Sequence, residues 1–83
     1  MTFDTIEKFV ENDKRKNQNV QIHFKTRSTI IGRFIVTPDY SELKVKNFWR
    51  IVPESRMTEW KKTNDLSLSR LFNGGEFTRL TDD

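Results

Sequence analysis

Residues 19–52 read NVQIHFKTRSTIIGRFIVTPDYSELKVKNFWRIV, and this stretch decides the fold. Apolar residues alternate with polar ones, and β-branched and aromatic types dominate, a period-two pattern that predicts consecutive antiparallel strands. Breaks at Thr26-Arg27-Ser28 and Thr37-Pro38-Asp39 divide it into strands over residues 19–25, 29–37 and 42–52. The first places Val20, Ile22 and Phe24 on one face and Gln21, His23 and Lys25 on the other. The second carries Ile30, Phe34 and Val36 on one side and Ile31 and Ile35 beside Arg33 on the other, so it is expected to be covered on both faces. Gly32 in its middle predicts a bend or bulge. The third sets Leu43, Val45, Trp49 and Ile51 against Lys44, Lys46, Phe48 and Arg50. Its length implies strong curvature, and Pro53 ends it.

Such a meander leaves its apolar face open, and the flanking segments supply the cover. Residues 4–16, DTIEKFVENDKRK, predict a helix with an apolar stripe of Phe3, Ile6, Phe9 and Val10. Asp4 and Glu7 have the spacing of a capping box, and acids lead while Lys14-Arg15-Lys16 close, which suits the helix dipole. Residues 53–65, PESRMTEWKKTND, are polar apart from Met57 and Trp60, and their pattern leaves open a long hairpin loop or a helical turn. Strands follow over residues 66–72 and 76–81. Asn73-Gly74 between them predicts a type I′ hairpin turn, whose two central positions need φ > 0.

The chain has 83 residues, enough for one small domain with a thin core. Hydrophobic residues are 34% and charged ones 33%, a deficit of core material that seven Phe, two Trp and one Tyr make up in size. Self-association is one way small scaffolds offset such a deficit. The lack of cysteine excludes disulfides and thiolate metal sites and fits a reducing compartment, so a cytoplasmic location is expected. No apolar run is long enough to span a membrane. With one histidine and no cysteine there is no nucleophile–base pair or metal cluster of familiar spacing, and neither phosphate-cradling glycine pattern surrounds Asn73-Gly74-Gly75. An enzyme is not expected, nor a cofactor.

Charge is uneven. Residues 1–13 hold four acids and one Lys, residues 14–62 hold twelve Lys/Arg against four acids, and residues 63–83 hold two Arg against four acids. The central block is therefore strongly positive, a pattern that attracts polyanions or simply keeps a strand face solvated.

The element order, a helix and then five short antiparallel strands within residues 1–83, resembles a small SH3-like barrel and, within that class, the Sm-like (LSm) family. The stretch VQIHFKTRSTIIGRFIVTPDYSELKV resembles the first Sm motif, with Gly32 at the bend glycine and Tyr40 in the loop that presents a base-stacking side chain. RLFNGGEFTRL resembles the short second motif, with Phe72, Asn73, Gly74, Gly75, Glu76 and Phe77 at its positions. Pro38 and Glu42 stand where that loop commonly has Asp and Asn, and Asn73 stands where an Arg helps to hold RNA. The resemblance implies a mainly β, five-stranded antiparallel barrel behind an N-terminal helix. It also implies ring assembly through edges over residues 67–72 and 76–80.

Two functions follow from this reading. In one, single-stranded RNA is bound, with Tyr40 stacking on a base, Arg33, Lys44, Lys46, Arg50, Lys61 and Lys62 meeting phosphates, and Asn73 as a further contact. In the other, the barrel is structural or binds protein, joining itself or a partner, with Tyr40, Phe48, Trp49 and Trp60 lining an apolar patch.

Overall fold

Ile6, Phe9 and Val10 recur at helical spacing, and the first helix forms around them. A computed structural model describes residues 1–12, 14 and 17–83. Helix α1 spans Phe3–Val10, with Ile6 fully buried and Phe3, Phe9 and Val10 packed beside it against the core. The expected helix over residues 4–16 is thus shorter: it stops at Val10, where Glu11 N–H closes on Glu7 O at 2.8 Å. Of the expected basic last turn, Lys14-Arg15-Lys16, residues 15 and 16 lie outside the described residues. The capping box does not form. Thr2 occupies the N-cap without a side-chain cap bond, and Asp4 lies inside the first turn, where it acts on the helix dipole instead.

The sheet follows the expected count. Strands β1 (Val20–Phe24), β2 (Ile30–Phe34), β3 (Phe48–Pro53), β4 (Arg70–Asn73) and β5 (Phe77–Asp82) form one antiparallel sheet in the order β4-β3-β2-β1-β5. Among the described residues no ladder joins β4 to β5, so the sheet ends on those two strands. Its inner face gathers Val20, Ile22, Trp49, Ile51, Phe77 and Leu80 around Ile6 of α1. Val52 and Met57 are buried apart from that cluster, on the side covered by the helix Met57–Thr63, so the middle of the sheet is covered on both faces.

Two expectations are corrected and one open alternative is resolved. The strand expected over residues 42–52 is a helix in its first half: α2 spans Tyr40–Val45, and only Phe48–Pro53 is strand. The alternation of Leu43 and Val45 imitated a strand over too few residues to separate the periods. Tyr40 and Leu43 also stand three apart and share a helix face, and Asn47 with φ 63° ends the turn as asparagine readily does. Residues 53–65 resolve as a 3-10 turn, Glu54–Arg56, leading into α3, Met57–Thr63, which Asn64 ends with φ 53°. Finally, Asn73-Gly74 makes no type I′ hairpin. Asn73 has φ −85°, no glycine has positive φ, and a 3-10 turn over Gly74–Glu76 carries the chain from the β3 side of the sheet to the β1 side. Asn73 Oδ1 accepts from Gly75 N–H at 2.8 Å, an Asx turn that replaces the hairpin.

The irregularity expected at Gly32 sits elsewhere. Register shifts between His23 and Phe24, whose partners are Arg79 and Phe77, leaving Thr78 unmatched as a bulge on β5. Gly32 itself pairs regularly with Val20 and Pro53. Its role is close approach: a Cβ there would lie 2.7 Å from Ile51 Cγ2 and 2.9 Å from Val52 O. Backbone on the neighbouring strand cannot yield cheaply, so Gly32→Ala is expected to destabilise the fold by about 1–3 kcal/mol. Urea unfolding followed by circular dichroism measures this, and a variant as stable as the parent would contradict the tight β2–β3 approach.

Candidate nucleic-acid interface

The residues expected to meet RNA come from five different elements, and local structure sorts them into two groups. Tyr40, Lys44 and Lys46 belong to α2 and its end, Arg50 to β3, Arg33 to β2, Lys61 and Lys62 to the last turn of α3, and Asn73 to the end of β4.

The first group is engaged with carboxylates. Helix α2 packs on α1, and the acids of α1 stand where the side chains of α2 arrive. Tyr40 donates its hydroxyl to Glu11 Oε2 at 2.7 Å, and Lys44 Nζ sits 2.6 Å from Glu7 Oε2 and 3.1 Å from Glu11 Oε2. Partial burial of the Tyr40 phenol, reinforced by the Glu11 carboxylate, pushes its pKa above the ordinary range. The Tyr40 hydrogen bond in turn holds Glu11 below its ordinary value, and Glu7 with Glu11 raises Lys44. The Tyr40 ring faces inward against Trp49 at 6.0 Å, edge to face, so it is packing and not a free stacking platform. Arg50 binds Asp39 through two contacts, Nη2 to Oδ2 at 2.7 Å and Nε to Oδ1 at 3.2 Å, and Thr37 adds its hydroxyl to Oδ1. Asn73 spends its side-chain oxygen on Gly75.

The second group makes no ion pair among the described residues. Arg33, Lys46, Lys61 and Lys62 face solvent wholly or in part, and Arg33 Nε is buried without a hydrogen-bond partner. Arg33 lines a cleft of about 370 Å³ between the end of α1, the end of β2 and α3. Phe9, Phe34 and Trp60 form its aromatic walls, and the amides of Asn17, Gln18 and Asn64 stand among them. Among the described residues Arg33 is the only charged one of that lining. Sequence reading placed Arg33 among phosphate contacts and Trp60 in an apolar patch, but it had no signal to unite them. The loop after α1 and the residue after α3 come together only through the tertiary fold.

The apolar patch expected from Tyr40, Phe48, Trp49 and Trp60 does not assemble as one surface. Trp49 is core, 3% exposed, with its indole N–H bonded to Asn47 Oδ1 at 2.9 Å. Tyr40 and Phe48 border a crevice of only about 10 Å³ beside it, while Trp60 belongs to the larger cleft. His23 lies between Thr81 Oγ1 at 3.3 Å and Thr29 Oγ1 at 3.1 Å, so each ring nitrogen meets a hydroxyl. Among the described residues no group of three His, Asp or Glu gathers as a metal site, and no helix is long and apolar enough to cross a membrane.

The Asp39–Arg50 pair has a pH signature. The Arg50 guanidinium, with the Thr37 hydroxyl, lowers the Asp39 carboxyl from 3.8 to about 2. A carboxylate with a depressed folded-state pKa contributes stability that is present above its unfolded value and lost as pH falls through the folded one. Asp39→Asn is therefore expected to melt at a lower temperature than the parent at neutral pH. The gap should narrow as pH drops from 3.8 towards about 2 and close below it. A constant difference in melting temperature across that range would show that the ion pair is not the cause. Comparison of the chain with models of protein families, with curated proteins and with solved structures found no match in any of the three.

Proposed function

We propose that the chain is a non-enzymatic binding module of the SH3-like, Sm-like kind that assembles with copies of itself through the edges of its sheet. What supports this is the helix-then-five-strand order, the consecutive antiparallel pairing, and above all the identity of the two edges. Strands β4 and β5 follow one another in the chain yet stand at opposite ends of the sheet. An unpaired strand edge offers a row of backbone donors and acceptors to any second strand.

The β4 ladder indicates which groups are on offer. Gly74 N–H bonds to Asn47 O at 2.8 Å, in line with the register that pairs Trp49 with Phe72 and Ile51 with Arg70. Hydrogen-bonded and non-hydrogen-bonded pairs alternate in an antiparallel ladder, so Leu71 directs its own N–H and C=O away from β3. The residue is 49% exposed. Because the two edges differ, the contact is head to tail, β4 of one copy on β5 of the next, a geometry that closes into rings or runs into filaments.

Leu71→Pro removes the outward N–H without taking a bond from β3, and edge strands tolerate proline at such positions. Light scattering should give the parent a multiple of the monomer mass, and Leu71→Pro a monomer with an unchanged far-ultraviolet spectrum. A parent that stays monomeric at high concentration defeats the reading.

A second reading, single-stranded RNA as ligand, is favoured by one observation: Arg33, Lys46, Lys61 and Lys62 have no carboxylate partner among the described residues. Tyr40, Lys44 and Arg50 would contribute little to it, since their polar groups are already committed.

A further inference from the structure

We infer that the cleft between α1, β2 and α3 is a binding site for a single nucleotide, with the base against Trp60 and the phosphate on Arg33. The inference deepens the RNA reading and rests on it only where the nucleotide is part of a strand.

The cleft combines three properties that a nucleotide requires. It has the lower end of the volume range of small-ligand pockets, about 370 Å³, which suits one base with its sugar and phosphate. Its walls include the Trp60 indole, a flat π-surface of the kind on which bases stack. Its polar groups are idle. The Trp60 indole N–H meets no acceptor among the described residues, in contrast to Trp49, whose N–H is bonded to Asn47. The side-chain amides of Asn17, Gln18 and Asn64 make no hydrogen bond to any described residue, and each offers both a donor and an acceptor to a heterocycle edge.

Arg33 supplies the sign of the ligand. Among the described residues it is the only charged group of the lining, and its Nε is buried without a partner while the rest of the side chain is partly open to solvent. A phosphate received by the terminal guanidinium nitrogens matches that charge, and Arg is suited to planar two-point recognition of phosphate oxygens. Lys61 and Lys62 stand beside Trp60 on α3, outside the lining, and extend the positive field towards solvent. An alkyl carboxylate would use only Arg33 and the apolar walls, whereas a nucleotide also offers a heterocycle edge to the amides and the indole N–H.

The backbone holds the amides in place. Asn17 and Asn64 both adopt left-handed conformations, φ 59° and 53°, one after α1 and the other closing α3. Asn64→Gly keeps that turn and deletes only the amide, which makes it a folded probe of the cleft.

The test titrates the protein with uridine monophosphate, adenosine monophosphate, inorganic phosphate and a short oligoribonucleotide at low salt. Indole fluorescence and amide chemical shifts are followed together. A nucleotide is expected to quench Trp60 saturably and to shift the side-chain amides of Asn17, Gln18 and Asn64. Arg33→Gln should weaken binding about tenfold or more, and Asn64→Gly severalfold. Saturation by a monophosphate identifies a free nucleotide as the ligand, whereas response to the oligoribonucleotide alone identifies a nucleotide within a strand. If inorganic phosphate produces the full response, the site takes an anion without a base, and the inference fails. If the oligoribonucleotide binds equally well to Arg33→Gln and Asn64→Gly, the cleft is not its site although the RNA reading stands. If no nucleotide or oligonucleotide binds, both fall.

Discussion

The structure depends on a line of aromatic contacts. Tyr40 meets Trp49, Trp49 meets Phe34, Phe34 meets Phe77, Phe77 meets Phe24 and Phe24 meets Phe72, with ring centroids 5.3–6.4 Å apart. The line starts on α2, crosses every strand of the sheet and ends on β4. Aromatic pairs of this kind, four of the five edge to face, contribute about 0.5–1.5 kcal/mol each beyond the area they bury. In a chain with so little aliphatic material, that is how a thin core holds its strands in one register. It also explains two details beside it: Asn47 ends α2 in a left-handed turn and accepts the Trp49 indole N–H, and Gly74 is buried where a Cβ would strike Ile6 and the Asn47 side chain.

The same packing decides which charges remain available. Once the Tyr40 ring is drawn to Trp49, α2 lies against α1, and Lys44 falls between Glu7 and Glu11. Surface ion pairs contribute little to stability, but each one removes a cation from the pool that a polyanion can use. Arg50 is withdrawn in the same way by Asp39. Among the described residues the positive block of the sequence therefore reaches solvent as a smaller set, which includes Lys46, Lys61 and Lys62 but not Lys44 or Arg50. Counting charges along the chain overstates the basic surface, because the acids that neutralise Lys44 come from the opposite end of the sequence.

Much of the fold was legible in local pattern. The stripe of Phe3, Ile6, Phe9 and Val10 and the alternation of Val20, Ile22 and Phe24 correspond to buried faces, since period and burial have the same cause there. Residues 40–45 misled because Tyr-Ser-Glu-Leu-Lys-Val satisfies both periods over six residues, and only the dock on α1 decides between them. Asn73-Gly74 misled because the turn chemistry of Asn-Gly is local, whereas the space above Gly74 is taken by Ile6 and Asn47, which no short-range pattern contains. The cleft was invisible for the same reason. Its polar members are spread from Asn17 to Asn64 and share no motif.

The cleft and the proposed assembly edges are independent in space. No residue of β4 or β5 lines the cleft, which is made from the end of α1, the start of β1, the end of β2 and α3. Copies joined through β4 and β5 would leave it open, and each copy would present its own. Residues 54–69 form an excursion between β3 and β4 whose length costs little, because loop-closure entropy grows only slowly with length. The register of β4 on β3 is secured at its far end by Gly74 on Asn47. That arrangement lets α3 build one wall of the cleft away from both sheet edges, so the proposed binding site and the proposed assembly edges share no residue that a substitution would alter together.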